Sequence, residues 1–350
     1  MGGELIINPY IADILAQPAA LREALKKYSP GGLNIIHERL QRGDFDRIIL
    51  SGMGSSYYAA YPALIQLASQ PVPVQLVNAS EFLHSLNGMI GPRSLLWLNS
   101  QSGRSAELVH LLENIKTQPP AYTLTFVNDL TSPMAKRGDV CIPIHAGAEA
   151  TVSTKTYVNM LAVNLLAAIQ LINGDLDSAI LEMRAAADAM ESYLVDWEAR
   201  VRELDSLLGN FEQLFLIGRG SSMSAVWNGS LINKEAAKSA FEGMQAADFR
   251  HGPLELVAEG FAALIFAGSA QTSALNRDLA REIISYGGRV LWVDSSPDPE
   301  IPTLLYPVTG ELARPLVEIL PMQMLTLVMA NRKGLQPGEF RHVSKVTSQE

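Results

Sequence analysis

Short, unbroken apolar runs alternate with longer amphipathic stretches along most of the chain. "RIILSG" (47–52), "RSLLWLN" (93–99) and "YTLTFV" (122–127) carry few polar residues and many branched or aromatic ones. That composition marks strands covered on both faces. A second set, "QLFLIG" (213–218), "FAALIFA" (261–267) and "RVLWVD" (289–294), repeats the design. A helical pattern follows the runs in both sets, and strands alternating with helices predict parallel sheets sandwiched between helical layers. The repetition extends into the loops: Gly52, Gly54, Ser55 and Ser56 of "RIILSGMGSS" recur as Gly218, Gly220, Ser221 and Ser222 of "QLFLIGRGSS". The fold expected is α/β, with two tandem doubly wound, flavodoxin-like three-layer domains related by duplication.

Between the repeats, "YVNMLAVNLLAAIQLI" (157–172) is the most apolar stretch. It is interrupted by Asn159, Asn164 and Gln170 and is too short to span a bilayer, so it reads as a buried helix. Gly174 is expected to end that helix, and Asp175 or Asp177 to cap the next, "LDSAILEMRAAADAMESYLVDWEARVRELDSLL". Pro18 stands near the start of an N-terminal helix. The boundaries drawn are a helical segment over 1–42, a first domain over 43–175, a linking helix over 176–204, a second domain over 205–333 and a tail over 334–350. The tail, "GLQPGEFRHVSKVTSQE", has no periodicity, and by itself it reads as a floppy end.

The chain has 350 residues, 48% of them apolar and 18% charged, enough for two cores and unlike a disordered chain. A net charge of −9 argues against nucleic acid as a partner, because phosphate backbones require clustered Lys and Arg. It leaves room for a small phosphorylated molecule held by backbone amides. Cys141 is the sole cysteine, which removes disulfides and cysteine-based metal sites; within "DVCIPI" it reads as a buried strand residue. Apart from His251, the histidines, His37, His84, His110, His145 and His342, are scattered, so no metal is expected. "MGGELIINPY" lacks a signal-peptide pattern, and Ile6 breaks the myristoylation pattern. A cytoplasmic protein without membrane attachment is the expectation.

A strand that turns sharply into a helix leaves N–H groups unpaired at the helix start, with the positive end of the dipole behind them. Glycine allows close approach and serine adds donors. "GMGSS" (52–56) and "SQSGRS" (100–105) both follow predicted strands, so both belong at the carboxyl edge of one sheet, where open α/β sheets bind ligands. An ordinary tight turn accounts for the Gly-x-Gly-Ser-Ser loop taken alone; with "SQSGRS" one strand later the two make a phosphate cradle. The first loop lacks the third glycine of a dinucleotide fingerprint and the Gly-Lys-Ser/Thr of a P-loop. In the second half "SAQTSALN" (269–276) replaces the Ser-x-Ser-Gly-x-Ser arrangement, so phosphate binding is expected in the first half only.

Taken in order, "GMGSS", "SQSGRSAEL", "VSTKT", "GRGSS", "NKEAAKSAFEGMQAADFRHGPLEL" and "HVSKVT" resemble the sugar isomerase (SIS) domain family. The likeness is to the isomerase half of glucosamine-6-phosphate synthase and to its stand-alone relatives. It implies that Ser56, Ser100, Gln101, Ser102 and Ser105 bind a sugar phosphate, and that Ser153 and Ser344 contact the sugar. It further implies that Glu235 moves a proton between C1 and C2, and that His251 opens the sugar ring at a neighbouring subunit's site in a homodimer. Lys345 matches a tail lysine able to form a Schiff base with an open-chain ketose, in a tail that closes the site. No cofactor is implied. The chemistry suits the residue types, since proton abstraction next to a carbonyl needs a shielded carboxylate and ring opening needs a group titrating near neutrality.

Three positions depart from the pattern. No nucleophilic cysteine of a glutaminase domain is present at the N-terminus, so glutamine is not expected as an ammonia source. Ile232 occupies the place, three residues before Glu235, where relatives acting on amino sugars carry lysine. Met53 replaces a cysteine, with no expected consequence. The function implied is a phosphosugar isomerase or deaminase acting on a hexose or hexosamine 6-phosphate, of the glucosamine-6-phosphate deaminase type. A fructosamine-6-phosphate deglycase and a non-catalytic sugar-phosphate sensor are the alternatives. Glu235, His251 and Lys345 favour the enzyme, and Ile232 favours the sensor.

Overall fold

The computed structural model describes residues 6–29, 31–117, 119–342 and 344–345. The chain divides into two compact units. One comprises Ala19–Glu149, Ser153–Arg184 and the described residues from His342 onward; the other comprises the described residues up to Pro18, Ala150–Val152 and Ala185–Arg341.

The first unit is built on a parallel sheet of Arg47–Gly52 (β1), Val74–Asn78 (β2), Ser94–Asn99 (β3), Tyr122–Val127 (β4) and Val140–Pro143 (β5), in the order β2-β1-β3-β4-β5. β3 is buried along its whole length, which is why its sequence shows no alternation. On one face Ile49, Leu96, Leu98 and Val127 pack with Phe82, Leu108, Leu111 and Met134. The other face carries Trp97 stacked on Phe126 at 4.7 Å. The apolar stretch between the repeats forms a buried helix, Lys155–Leu171, whose polar interruptions find partners, although Asn159 Oδ1 accepts no hydrogen bond. Asn164 accepts from the Trp97 indole and donates to the Met160 carbonyl, while Asn159 donates to the carbonyls of Ala20 and Ile144.

The second unit repeats the plan with Gln213–Gly218 (β6), Glu242–Gln245 (β7), Phe261–Phe266 (β8), Arg289–Asp294 (β9) and Thr303–Leu305 (β10), ordered β10-β9-β8-β6-β7. Counted from each first strand, both sheets follow one order, 2-1-3-4-5, as duplication requires. Phe215, Phe249, Phe261, Ile265 and Trp292 centre its core.

Several local expectations need correction. The sequence pattern misses the edge strands β2, β7 and β10, which are short and only partly buried, so no long apolar run announces them. The helix expected over 176–204 is two, Leu176–Val195 and Trp197–Leu208, meeting at Asp196. Asn173, not Gly174, takes the left-handed conformation after Lys155–Leu171, with φ +57°. Asp175 is the cap of the next helix, accepting from the Ser178 backbone at 3.0 Å. Cys141 lies in β5 as expected, but it is half-buried rather than enclosed. No helix among the described residues is long and apolar enough to cross a membrane.

Candidate active site

In the first sheet the strand order reverses between β1 and β3, and Gly52 pairs in register with Asn99. The loops that begin at Met53 and Ser100 therefore leave the sheet side by side, at the position where such folds bind ligands. Contact is tight: a Cβ on Gly52 would lie 3.0 Å from both the Asn99 carbonyl oxygen and the Tyr57 nitrogen. Ser56 follows within the short helix Gly54–Ala59 and is half-buried.

Loop 100–105 is fastened from within. The hydroxyls of Ser100 and Ser105 lie 2.8 Å apart, and the Gly103 N–H donates to the Ser100 carbonyl at 3.1 Å. Gly103 has φ +62°, and a Cβ there would lie 2.1 Å from Ser132 Oγ, so only glycine fits. The Ser102 hydroxyl accepts from the Arg104 N–H at 3.1 Å, and Arg104 donates to Asp129 at 2.8 Å. The Thr131 hydroxyl, then Arg104, then the Thr131 N–H, hold the Asp129 carboxyl down to about 2. Ser100 is buried, whereas Gln101, Ser102 and Ser105 are partly exposed and able to reach a ligand.

Glu149 is a residue that the sequence reading passed over. Its side chain is fully buried, and Oε1 accepts from the Thr154 N–H (2.8 Å), the Thr154 hydroxyl (3.0 Å) and the Thr156 N–H (3.0 Å). Oε2 accepts from the Thr156 hydroxyl at 2.5 Å and is paired with Lys345 Nζ. Glu149 thus supplies the N-terminal acceptor for helix Lys155–Leu171, whose Thr154 cap makes no side-chain capping bond of its own. Ser153 directly precedes that cap and is half-buried. The usable signal was an acidic residue a few positions before a Thr-rich helix start. Ser344 is exposed, and Val343 and the residues after Lys345 lie outside the described residues. The structure thus brings Ser56, loop 100–105, Ser153, Ser344 and Lys345 into one compact unit.

Glu235 and His251 belong to the other unit. Glu235 lies near the end of helix Met223–Ala237, half-buried. Lys238 caps that helix with φ +50° and donates to the carbonyls of Glu235 and Glu339. The Gly338 N–H donates to the Ala236 carbonyl at 3.1 Å, so the root of the tail is fixed to the helix that bears Glu235. Ile232, one turn earlier, is fully buried; a lysine there would have to be desolvated. His251 ends the helix Ala246–Arg250 and is exposed.

The second Gly-x-Gly-Ser-Ser loop is filled by its own unit. Arg314 donates to the Ser221 hydroxyl (3.0 Å) and the Gly268 carbonyl (2.8 Å), and its Nε lies 3.1 Å from Glu318. Glu318, fully buried, also accepts from Ser222 at 2.8 Å. A carboxylate and a guanidinium thus occupy the hydroxyls that an anion would need. Among the described residues no cluster of three or more His, Cys, Asp or Glu could hold a metal ion.

Residues 44–170 match the family model described as "SIS domain". Those residues form a SIS domain. The isomerizing glutamine–fructose-6-phosphate aminotransferase of Pyrococcus horikoshii is 31% identical over 351 residues, covering 96% of this chain and 56% of the relative. The chain spans little more than half the length of the curated relatives it matches. Among solved structures, the C-terminal domain of glucosamine-fructose-6-phosphate aminotransferase from Francisella tularensis superposes with a TM-score of 0.82, at 21% identity over 95% of this chain and 99% of that one. Glucosamine-6-phosphate deaminase from Thermotoga maritima gives 0.77, at 18% identity over 97% and 99%. At these identities the structural likeness establishes the SIS fold of the whole chain.

Proposed function

We propose that this SIS protein is a phosphosugar isomerase of the deaminase type, acting on a hexose or hexosamine 6-phosphate. Ser56 and loop 100–105 hold the phosphate through hydroxyls and backbone N–H groups. His251, contributed by a second copy in a homodimer, opens the ring. Glu235 takes the proton from C2 of the open-chain aldose and returns it to C1, leaving C2 at the ketone level. With an amine on C2 the product is an imine, which one water molecule hydrolyses to the ketose phosphate and ammonia. Lys345 closes over the sugar from the tail, held by Glu149.

The observation that supports the reading best is the pairing of Lys345 with the buried Glu149 in the unit that bears the phosphate loop. A protein that only sensed sugar phosphate would need the cradle but no amine directed by a buried carboxylate. The filled second loop is in keeping with one phosphate site per chain. The buried Ile232, which leaves the Glu235 helix without the lysine of amino-sugar relatives, favours the sensor as second reading. A deglycase would use the same groups to release a larger amine.

The test is a panel of hexose and hexosamine 6-phosphates, followed for ammonia and for C2 proton exchange in heavy water. Glu235→Gln should preserve phosphate-driven binding and cut turnover roughly 100-fold or more, the scale of general-base loss. Tight binding without exchange on any sugar would leave the sensor in its place.

A further inference from the structure

Three loops at the carboxyl edge of the first sheet meet at one residue. Asn128 follows β4, and its backbone N–H donates to the Gln101 carbonyl in the phosphate loop at 2.9 Å. Its side chain faces the loop after β5, where Nδ2 donates to the Gly147 carbonyl at 2.7 Å and Oδ1 accepts from the Ala146 N–H at 2.8 Å. That loop contains two residues of positive φ in quick succession, His145 (+50°) and Gly147 (+71°). No sheet ladder holds this stretch after the Ile144 N–H has paired with the Val127 carbonyl; the Asn128 amide fastens it at Ala146 and Gly147, and the Ala150 N–H donates to the Asp13 carboxylate at 2.7 Å. Two residues beyond Gly147 stands Glu149, which holds Lys345 and caps the helix following Ser153. Hydrogen bonds therefore run from the phosphate loop through Asn128 to Gly147, and two residues of backbone carry the connection on to the Glu149–Lys345 pair.

We propose that Asn128 is a positioning residue that fixes the Glu149–Lys345 pair relative to the phosphate loop, so that an anion in the loop steadies both ends of the site. This rests on the proposed function for its kinetic consequence, but not for the coupling itself. Asn128 is suited to the task because one planar amide supplies a donor and an acceptor to successive backbone groups. Asp129 cannot substitute, since its carboxylate is taken by Thr131 and Arg104. Misplacing a reacting group by about 1 Å can cost about 100-fold in rate.

Backbone amide exchange of the full chain, with and without inorganic phosphate, is the direct test. In the wild-type protein phosphate should slow exchange in both 100–105 and 146–150. In Asn128→Ala the slowing should be confined to 100–105. Asn128→Asp keeps the acceptor for Ala146 but sets an oxygen against the Gly147 carbonyl; it should behave the same way, and it carries the test if the alanine variant does not fold. On a sugar phosphate that the wild type turns over, both variants should lose about 100-fold in kcat with KM changed less than about threefold. Phosphate protection of 146–150 that survives in the variants, or is absent from the wild type, overturns the inference. Coupled protection in a protein that turns over no sugar would instead leave Asn128 as proposed and remove the enzymatic reading.

Discussion

Truncating Glu149 should loosen the start of helix Lys155–Leu171 far more than removing the lysine it holds. The carboxylate serves four donors besides Lys345, two of them the buried backbone N–H groups of Thr154 and Thr156. In Glu149→Ala both N–H groups lose their acceptor. At about 1–3 kcal/mol for each buried donor, less what entering water recovers, local stability should fall by about 2–4 kcal/mol. Lys345→Met removes one donor of five, on a side chain 22% exposed, and after allowance for solvent screening should cost about 1 kcal/mol or less. The assay is native-state exchange of the Thr154 and Thr156 amides. Glu149→Ala should accelerate them about 30- to 1000-fold, taking 1.4 kcal/mol per decade, and Lys345→Met by less than about fivefold. Glu149→Gln should fall between, because its remaining oxygen can serve the amides while its NH2 opposes Lys345. Equal acceleration in the alanine and Lys345→Met variants would refute the assignment of Glu149 as the cap and make the ion pair the principal bond.

The two copies of the glycine–serine loop should respond differently to the same change. Ser102→Ala should weaken phosphate or sugar-phosphate binding by about 1–3 kcal/mol in calorimetry, the scale of a hydrogen bond to a charged group. Ser221→Ala should leave binding unchanged, because its hydroxyl already accepts from Arg314; equal losses would mean that the second loop binds phosphate too. The Glu318 carboxyl is pushed up to about 7 by complete burial, against the pull of Arg314 and the Ser222 hydroxyl. The folded chain then keeps a proton that the unfolded chain releases above its usual 4.5, so this group's stabilisation is full below about pH 4.5 and is lost as pH rises through 7. Glu318→Gln removes that titration. Its stability relative to wild type should therefore rise by about 3 kcal/mol between pH 4.5 and 8 in urea unfolding, and a difference flat with pH would contradict the burial argument.

What the sequence revealed and what it hid follow from the range of the interactions concerned. β1, β3 and β4 were legible because a strand covered on both faces must be apolar throughout, and the loops after β1 and β3 were legible because a sharp turn against a neighbouring strand needs glycine. β2, β7 and β10 were not, since an edge strand is held by main-chain bonds to a partner that no local pattern names. Asn128 looked like any polar residue after a strand; its two side-chain bonds reach residues 18 and 19 positions away. The second Gly-x-Gly-Ser-Ser loop is the sharpest case. Its serines match those of the first, and only the missing Ser-x-Ser-Gly-x-Ser partner hinted at a different fate. What fills it is Arg314 and Glu318, more than ninety residues downstream, whose side chains meet at Ser221 and Ser222. A buried ion pair of this kind tolerates the loss of both members better than the loss of one. Reopening the loop to an anion therefore requires replacing Glu318 and Arg314 together, with hydroxyls left free and no charge stranded beneath them.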